Sequence, residues 1–154
     1  MPNGRRDGMR VFDAYPLAGI LLGEPVGLAS AQLLSEHPAG AAICAVNAAE
    51  VVDLLTRRRP ADPADVVGWF DLWFDAGLRC VPLGWDRAHR AASIRAAHYH
   101  RSHRAVSLAD CSAIALAEEL GAELVTSDGA MVRVARAEGV AVLPVPDSSG
   151  RTPK

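Results

Sequence analysis

The sequence predicts a three-layer α/β/α sandwich, in which helices cover both faces of a central parallel sheet of four to five strands. Three observations carry that prediction. Short apolar runs alternate with stretches of helical periodicity from end to end, the pattern of strand–helix–strand units. The run from Ala41 to Val46 is uninterruptedly apolar, as a strand buried on both faces should be. The stretch SLADCSAIALAEELGAELVTSDGAM, Ser107 to Met131, holds a helix start, a glycine stop and a buried strand in succession.

In order, Met9 to Phe12 is a short strand ending at Asp13, and a helix follows through Leu22 with Pro16 in its first turn and Gly23 beyond it. Pro25 opens a second helix to about Glu36, on which Val26, Ala29, Leu33 and Leu34 recur at helical spacing until His37 and Pro38 close it. After the strand from Ala41, Asn47 reads as the start of a helix to about Arg59, with Glu50 three residues on in a near capping box. That places Glu50 in the first helical turn. Asp53 and Arg57 form an i,i+4 pair on the same helix.

Pro60 to Pro63 is a linker, and Ala64 to Ala76 a helix ended by Gly77. Arg79 to Leu83 is a strand, Asp86 to about Tyr99 a helix, and His100 to Val106 a polar, basic loop. Ser107 and Asp110 have the spacing of a helix start, and Gly121 stops that helix. At about 100° per residue, Asp110 shares a side with Ile114 and Ala117, opposite Ser112 and Glu119. It is therefore directed inward, and Ser112 outward. Leu124, Val125 and Thr126 form a buried strand with Asp128 just past its end, followed by a helix from Ala130 to Ala137 and a strand from Val140 to Val145.

The 154 residues, half of them hydrophobic, suit one domain over 9–145. Residues 1–8 and 146–154, rich in Pro, Gly, Ser and charge, are expected to be flexible tails. A net charge of -2 lacks the basic excess of a typical nucleic-acid binder, which weakens an RNA role without excluding it. Cys44, Cys80 and Cys111 are widely spaced in apolar runs with no C-x-x-C pair, which points to reduced, buried thiols in a cytoplasmic protein. No apolar run reaches the roughly 20 residues of a membrane helix, and no hydrophobic signal core precedes the first strand, so neither a membrane role nor export is expected.

Ligands of parallel α/β sheets bind at the carboxyl ends of the strands. Asp13, Glu50 and Asp128 follow three such ends, and Asp110 faces them from the neighbouring helix. The plain reading is that each acid caps a helix N-terminus, a gain of about 0.3 to 1 kcal/mol. Capping does not explain why four acids fall on one rim, where carboxylates repel unless a cation holds them ionised. Hard oxygen donors without Cys or His suit Mg²⁺ or Mn²⁺, and such a site activates water against a phosphodiester.

The runs VFDAYPLAGILLGEP, AVNAAEVVDLL and SLADCSAIALAEELGAELVTSDGAMVRVA, in that order, resemble a PIN domain, specifically the VapC-type ribonuclease toxins of toxin–antitoxin pairs. The resemblance covers nearly all of 9–145. It implies that Asp13, Glu50, Asp110 and Asp128 are the family's acids and that Thr126 is its hydroxyl residue just before the last of them. It further implies Mg²⁺- or Mn²⁺-dependent cleavage of single-stranded RNA, homodimerisation, and inhibition by a small VapB-like antitoxin laid across the active site. Tyr15 departs from the pattern, standing where many relatives carry a small hydroxyl residue.

The densest basic patch is Arg95, His98, His100, Arg101, His103 and Arg104. Arg95, Arg101 and Arg104 are candidate RNA-phosphate contacts, against the plain reading of a solvated helix end. Arg57, Arg58 and Arg59 read as a solvated helix end. Trp69, Phe70, Trp73 and Phe74 form an aromatic helix face suited to core packing or to a partner helix. Two rival functions stay open. One is an acidic-pocket phosphotransfer or phosphatase-like protein, which needs a cation near its acceptor, whereas the only lysine is Lys154. The other is a catalytically inert PIN-like interaction module.

Overall fold

The computed structural model describes residues 8–154; of the expected N-terminal tail, residues 1–7 lie outside the described residues. Five parallel strands form the sheet: β1 (Arg10–Phe12), β2 (Ala41–Cys44), β3 (Arg79–Val81), β4 (Glu123–Thr126) and β5 (Val142–Pro144). Their order across the sheet is β3-β2-β1-β4-β5. The chain winds outward from β1 through β2 to β3, then crosses back to lay β4 on the other side of β1. The crevice at the carboxyl ends of β1 and β4 is thus the topological switch point, where ligands of such sheets bind.

Strand alternation sends side chains to two separate cores. Val11, Ala42, Cys44 and Leu124 face one, packed by α5 (Trp85–His98), α6 (Leu108–Leu120) and α7 (Gly129–Ala137). Phe12, Ala41, Ile43 and Val125 face the other, packed by α1 (Ala14–Leu22), α2 (Pro25–Glu36), α3 (Ala45–Arg58) and α4 (Pro63–Asp75). Period-two alternation in strands covered on both faces makes the three-layer sandwich. Pro144 is tolerated because β5 is an edge. α1 and α2 meet at 109°, with Gly19 against Gly27. A Cβ on Gly27 would stand 2.1 Å from the Gly19 carbonyl oxygen, so only glycine permits this approach. Among the described residues no single helix is long and apolar enough to cross a membrane.

The structure corrects several expectations. α3 begins at Ala45 with Cys44 as its N-cap, so Asn47 is not a cap. It is fully buried inside the helix and reaches a neighbouring element instead. Glu50 consequently lies in the second helical turn. Ser112 is buried, with its hydroxyl donating to the Leu108 carbonyl at 2.7 Å. It cannot face solvent because α5, α3 and the sheet enclose α6 on most sides. Cys44 and Cys111 are buried free thiols, whereas Cys80, on edge strand β3, is exposed. The aromatic face of α4 is divided. Phe70 is buried and meets Trp73 edge-on at 5.3 Å, while Trp69 and Phe74 remain over one-third exposed.

Candidate active site

Each acid is delivered by a different local device. Asp13 follows β1 and caps α1, its carboxylate accepting from the Ala14 N–H at 2.7 Å. Asp128 follows β4 and caps α7, accepting from the Ala130 and Met131 N–H groups at 2.6 and 3.3 Å. Asp110 is the third residue of α6 in a complete capping box. Its carboxylate accepts from the Ser107 N–H at 2.7 Å, and the Ser107 hydroxyl accepts from the Asp110 N–H at 3.0 Å. Glu50 caps nothing. It projects from the second turn of α3, where its carboxylate accepts from the Asn47 amide at 3.3 Å.

These four carboxylates line one cleft of about 380 Å³ with Ala14, Tyr15, Asp53, Leu54, Arg57 and Ser127. Thr126, beneath it and fully buried, ties two of them together. Its hydroxyl donates to Asp13 at 3.0 Å and accepts from the Asp128 N–H at 3.1 Å. The Asn47 amide also donates to the Ala109 carbonyl at 3.2 Å, holding α3 against the first turn of α6 beside Asp110. Among the described residues its own Oδ1 has no partner, though it is buried.

Crowding shows in the proton affinities. Burial, then repulsion from Asp110 and Glu50, pushes the Asp13 carboxyl up to about 7, against the bonds from Ala14 and Thr126. Glu50 is raised by burial and by Asp110, Asp110 by burial and by Asp128. A set of desolvated, mutually repelling carboxylates is relieved by a cation. The donors are hard oxygens and therefore fit Mg²⁺ or Mn²⁺. Among the described residues no three His, Cys, Asp or Glu side chains approach closely enough to enclose an ion by themselves. The fit is to a cation that keeps several waters and takes one or two carboxylates directly, as Mg²⁺ does.

Sequence reasoning missed part of the lining. Asp53 and Arg57 stand three and seven residues after Glu50, on the same face of α3, and the helical spacing alone would have placed them there. Of the candidate RNA contacts, none lines the cleft. Arg95 donates to the Val106 carbonyl at 3.0 Å and lies 4.2 Å over the Tyr99 ring. The Arg104 guanidinium stands 3.4 Å from His98, and Arg101 is exposed in the turn between α5 and α6.

Two solved structures share this architecture. A toxin–antitoxin complex from Klebsiella pneumoniae matches with a TM-score of 0.58 at 18% identity, over 77% of this chain and 86% of that one. FitAcB from Neisseria gonorrhoeae matches with a TM-score of 0.56 at 21% identity, over 88% of this chain and 96% of that one. No curated protein sequence matches. The PIN domain family model matches residues 11–137, a span that runs from β1 through α7 and takes in Asp13, Glu50, Asp110 and Asp128. The chain belongs to the PIN domain family.

Proposed function

We propose that this protein is a Mg²⁺- or Mn²⁺-dependent endoribonuclease that hydrolyses single-stranded RNA, and that it acts in the cytoplasm as the toxin of a VapBC-type toxin–antitoxin pair. The observation that carries the reading is the convergence of Asp13, Glu50, Asp110 and Asp128, from four separate elements, on one cleft at the switch point of the sheet. Capping accounts for Asp13, Asp110 and Asp128 one at a time. It leaves Glu50 without a structural reason to be there.

In this mechanism Asp13, Glu50, Asp110 and Asp128 would hold the cation, and their mutual repulsion keeps the cleft receptive to it. The bound metal would supply a water of lowered pKa and neutralise charge on the phosphodiester. Thr126 fixes the Asp13 carboxylate and, through the Asp128 N–H, sets the entry of α7. Asn47 aims Glu50. The toxin–antitoxin complex among the structural neighbours supports a small VapB-like antitoxin as partner. We propose a homodimer on the family resemblance.

The test is cleavage of a single-stranded RNA by purified protein with Mg²⁺ or Mn²⁺, and with EDTA. The wild type should cut only with metal, and Glu50→Gln should lose cleavage at unchanged melting temperature, because Glu50 caps no helix. A folded Glu50→Gln protein that cuts normally removes the assignment. One observation favours a second reading, the inert interaction module: among the described residues no three acids enclose an ion unaided. Absence of Mn²⁺ binding in calorimetry would select it.

A further inference from the structure

A cleft walled by the carboxylates of Asp13, Glu50, Asp53, Asp110 and Asp128 repels the polyanion it is proposed to cut, so a cation must hold the RNA backbone close to it. Neither the last turn of α5 nor the basic loop after it lines the cleft, and Arg95 in that turn is already engaged with the Val106 carbonyl and the Tyr99 ring. In the arginine triplet ending α3, two members are also committed. Arg58 pairs with Glu24 at 2.8 Å, and Arg59 donates to the carbonyls of Leu21 and Leu22 at 2.9 Å each. Among the described residues, Arg57 is the cationic residue that lines the cleft.

Arg57 lies seven residues beyond Glu50 on one helix face, about 10 Å along the axis at 1.5 Å per residue. It is too far along to serve the same phosphate as the metal shell and well placed for a neighbouring one. Its partner is Asp53, at 2.7 Å, in a pair whose side chains are 67% and 60% exposed. Such a solvated i,i+4 pair contributes little to the fold. Its guanidinium can exchange the carboxylate for a phosphate, whose oxygens it also meets as a planar fork.

Resting on the nuclease reading above, we infer that Arg57 is the RNA-backbone anchor of the cleft, binding a phosphate that flanks the scissile one, with Asp53 as the internal carboxylate it gives up. Arg57 then supplies binding that is equal in ground and transition states. Its loss raises KM and leaves kcat.

The experiment has two arms. In the first, Asp13→Asn protein with and without Arg57→Ala binds a fluorescein-labelled single-stranded RNA over a range of NaCl concentrations. Arg57→Ala should weaken binding about tenfold and lower the salt slope by about 0.7, the share of one contact on a single strand. Arg57→Lys should restore the slope, since it restores the charge. In the second arm, Arg57→Ala in otherwise wild-type protein should raise KM for RNA cleavage by a similar factor with kcat within about twofold. An undiminished salt slope with unchanged KM overturns the assignment of Arg57, as does a fall in kcat at constant KM. If wild-type protein with Mn²⁺ cuts no RNA and the Asp13→Asn parent binds none, the nuclease reading itself falls and Arg57 with it.

Discussion

The hydroxyl of Thr126 donates to the carboxylate of Asp13 at 3.0 Å, joining residues 113 positions apart across the boundary between β4 and β1. The same oxygen accepts from the Asp128 N–H, so one buried group serves both acids at the switch point. Thr126→Val preserves shape and removes both bonds. It should cost about 1 to 3 kcal/mol in urea unfolding, because the Asp128 N–H and one Asp13 oxygen lose a partner. RNA cleavage should fall more than stability does. A variant that unfolds at the wild-type urea midpoint would show that Thr126 is a bystander.

Asp110 caps a helix and lines the cleft, and substitutions can separate the two roles. Asparagine keeps an oxygen for the Ser107 N–H, whereas alanine keeps none. Asp110→Asn should therefore remain near wild-type stability, while Asp110→Ala loses about 0.5 to 2 kcal/mol in chemical denaturation. Metal-dependent cleavage should vanish in both. Retention of activity by a folded Asp110→Asn protein would confine Asp110 to capping.

These two tests also show where the sequence is legible and where it stops. Asp13, Asp110 and Asp128 sit at element boundaries, where a strand end or a Ser-x-x-Asp start announces them locally. Asn47 misled for the same reason. The pattern Asn-x-x-Glu looks alike whether the amide turns to its own backbone or reaches across to the Ala109 carbonyl, and only tertiary packing decides. Periodicity places Ser112 on the outer side because it assumes one covered face, whereas α6 is covered on several. Arg57 was visible in its spacing from Glu50, but a charge run at a helix end gives no sign of what lies beyond it.

α4 offers a contrast between two neighbouring apolar residues. Phe70 is 4% exposed, Leu72 66%. Phe70→Ala should cost about 3 to 5 kcal/mol, the usual penalty for emptying an aromatic site in a core. Leu72→Ser should stay within about 0.5 kcal/mol. Urea unfolding of the two variants side by side checks the division of the aromatic helix into an inner and an outer stripe. Comparable losses in both would mean that Leu72 is covered.

Among the described residues, the Asp13 carboxyl carries the clearest pH signature. Its ordinary value of 3.8 rises to about 7 on folding, chiefly through burial and then through Asp110. Between those values the folded state holds a proton that the unfolded state has released. Unfolding free energy therefore decreases as pH rises through that window. The loss levels off above about 7, and at 1.36 kcal/mol per pKa unit it amounts to at most about 4 kcal/mol. In EDTA, urea unfolding should thus show a protein that weakens from pH 5 to pH 8, and Asp13→Asn should flatten that slope. A divalent cation acts in the opposite direction, because it binds the ionised cluster and competes with the proton. Mn²⁺ at about a hundredfold excess over its dissociation constant should add about 2.7 kcal/mol at pH 8 and much less at pH 5, where Asp13 is protonated. If metal stabilises equally at both pH values, it binds somewhere other than the cleft. If it stabilises at neither, the carboxylates of Asp13, Glu50, Asp110 and Asp128 converge without a cation to hold.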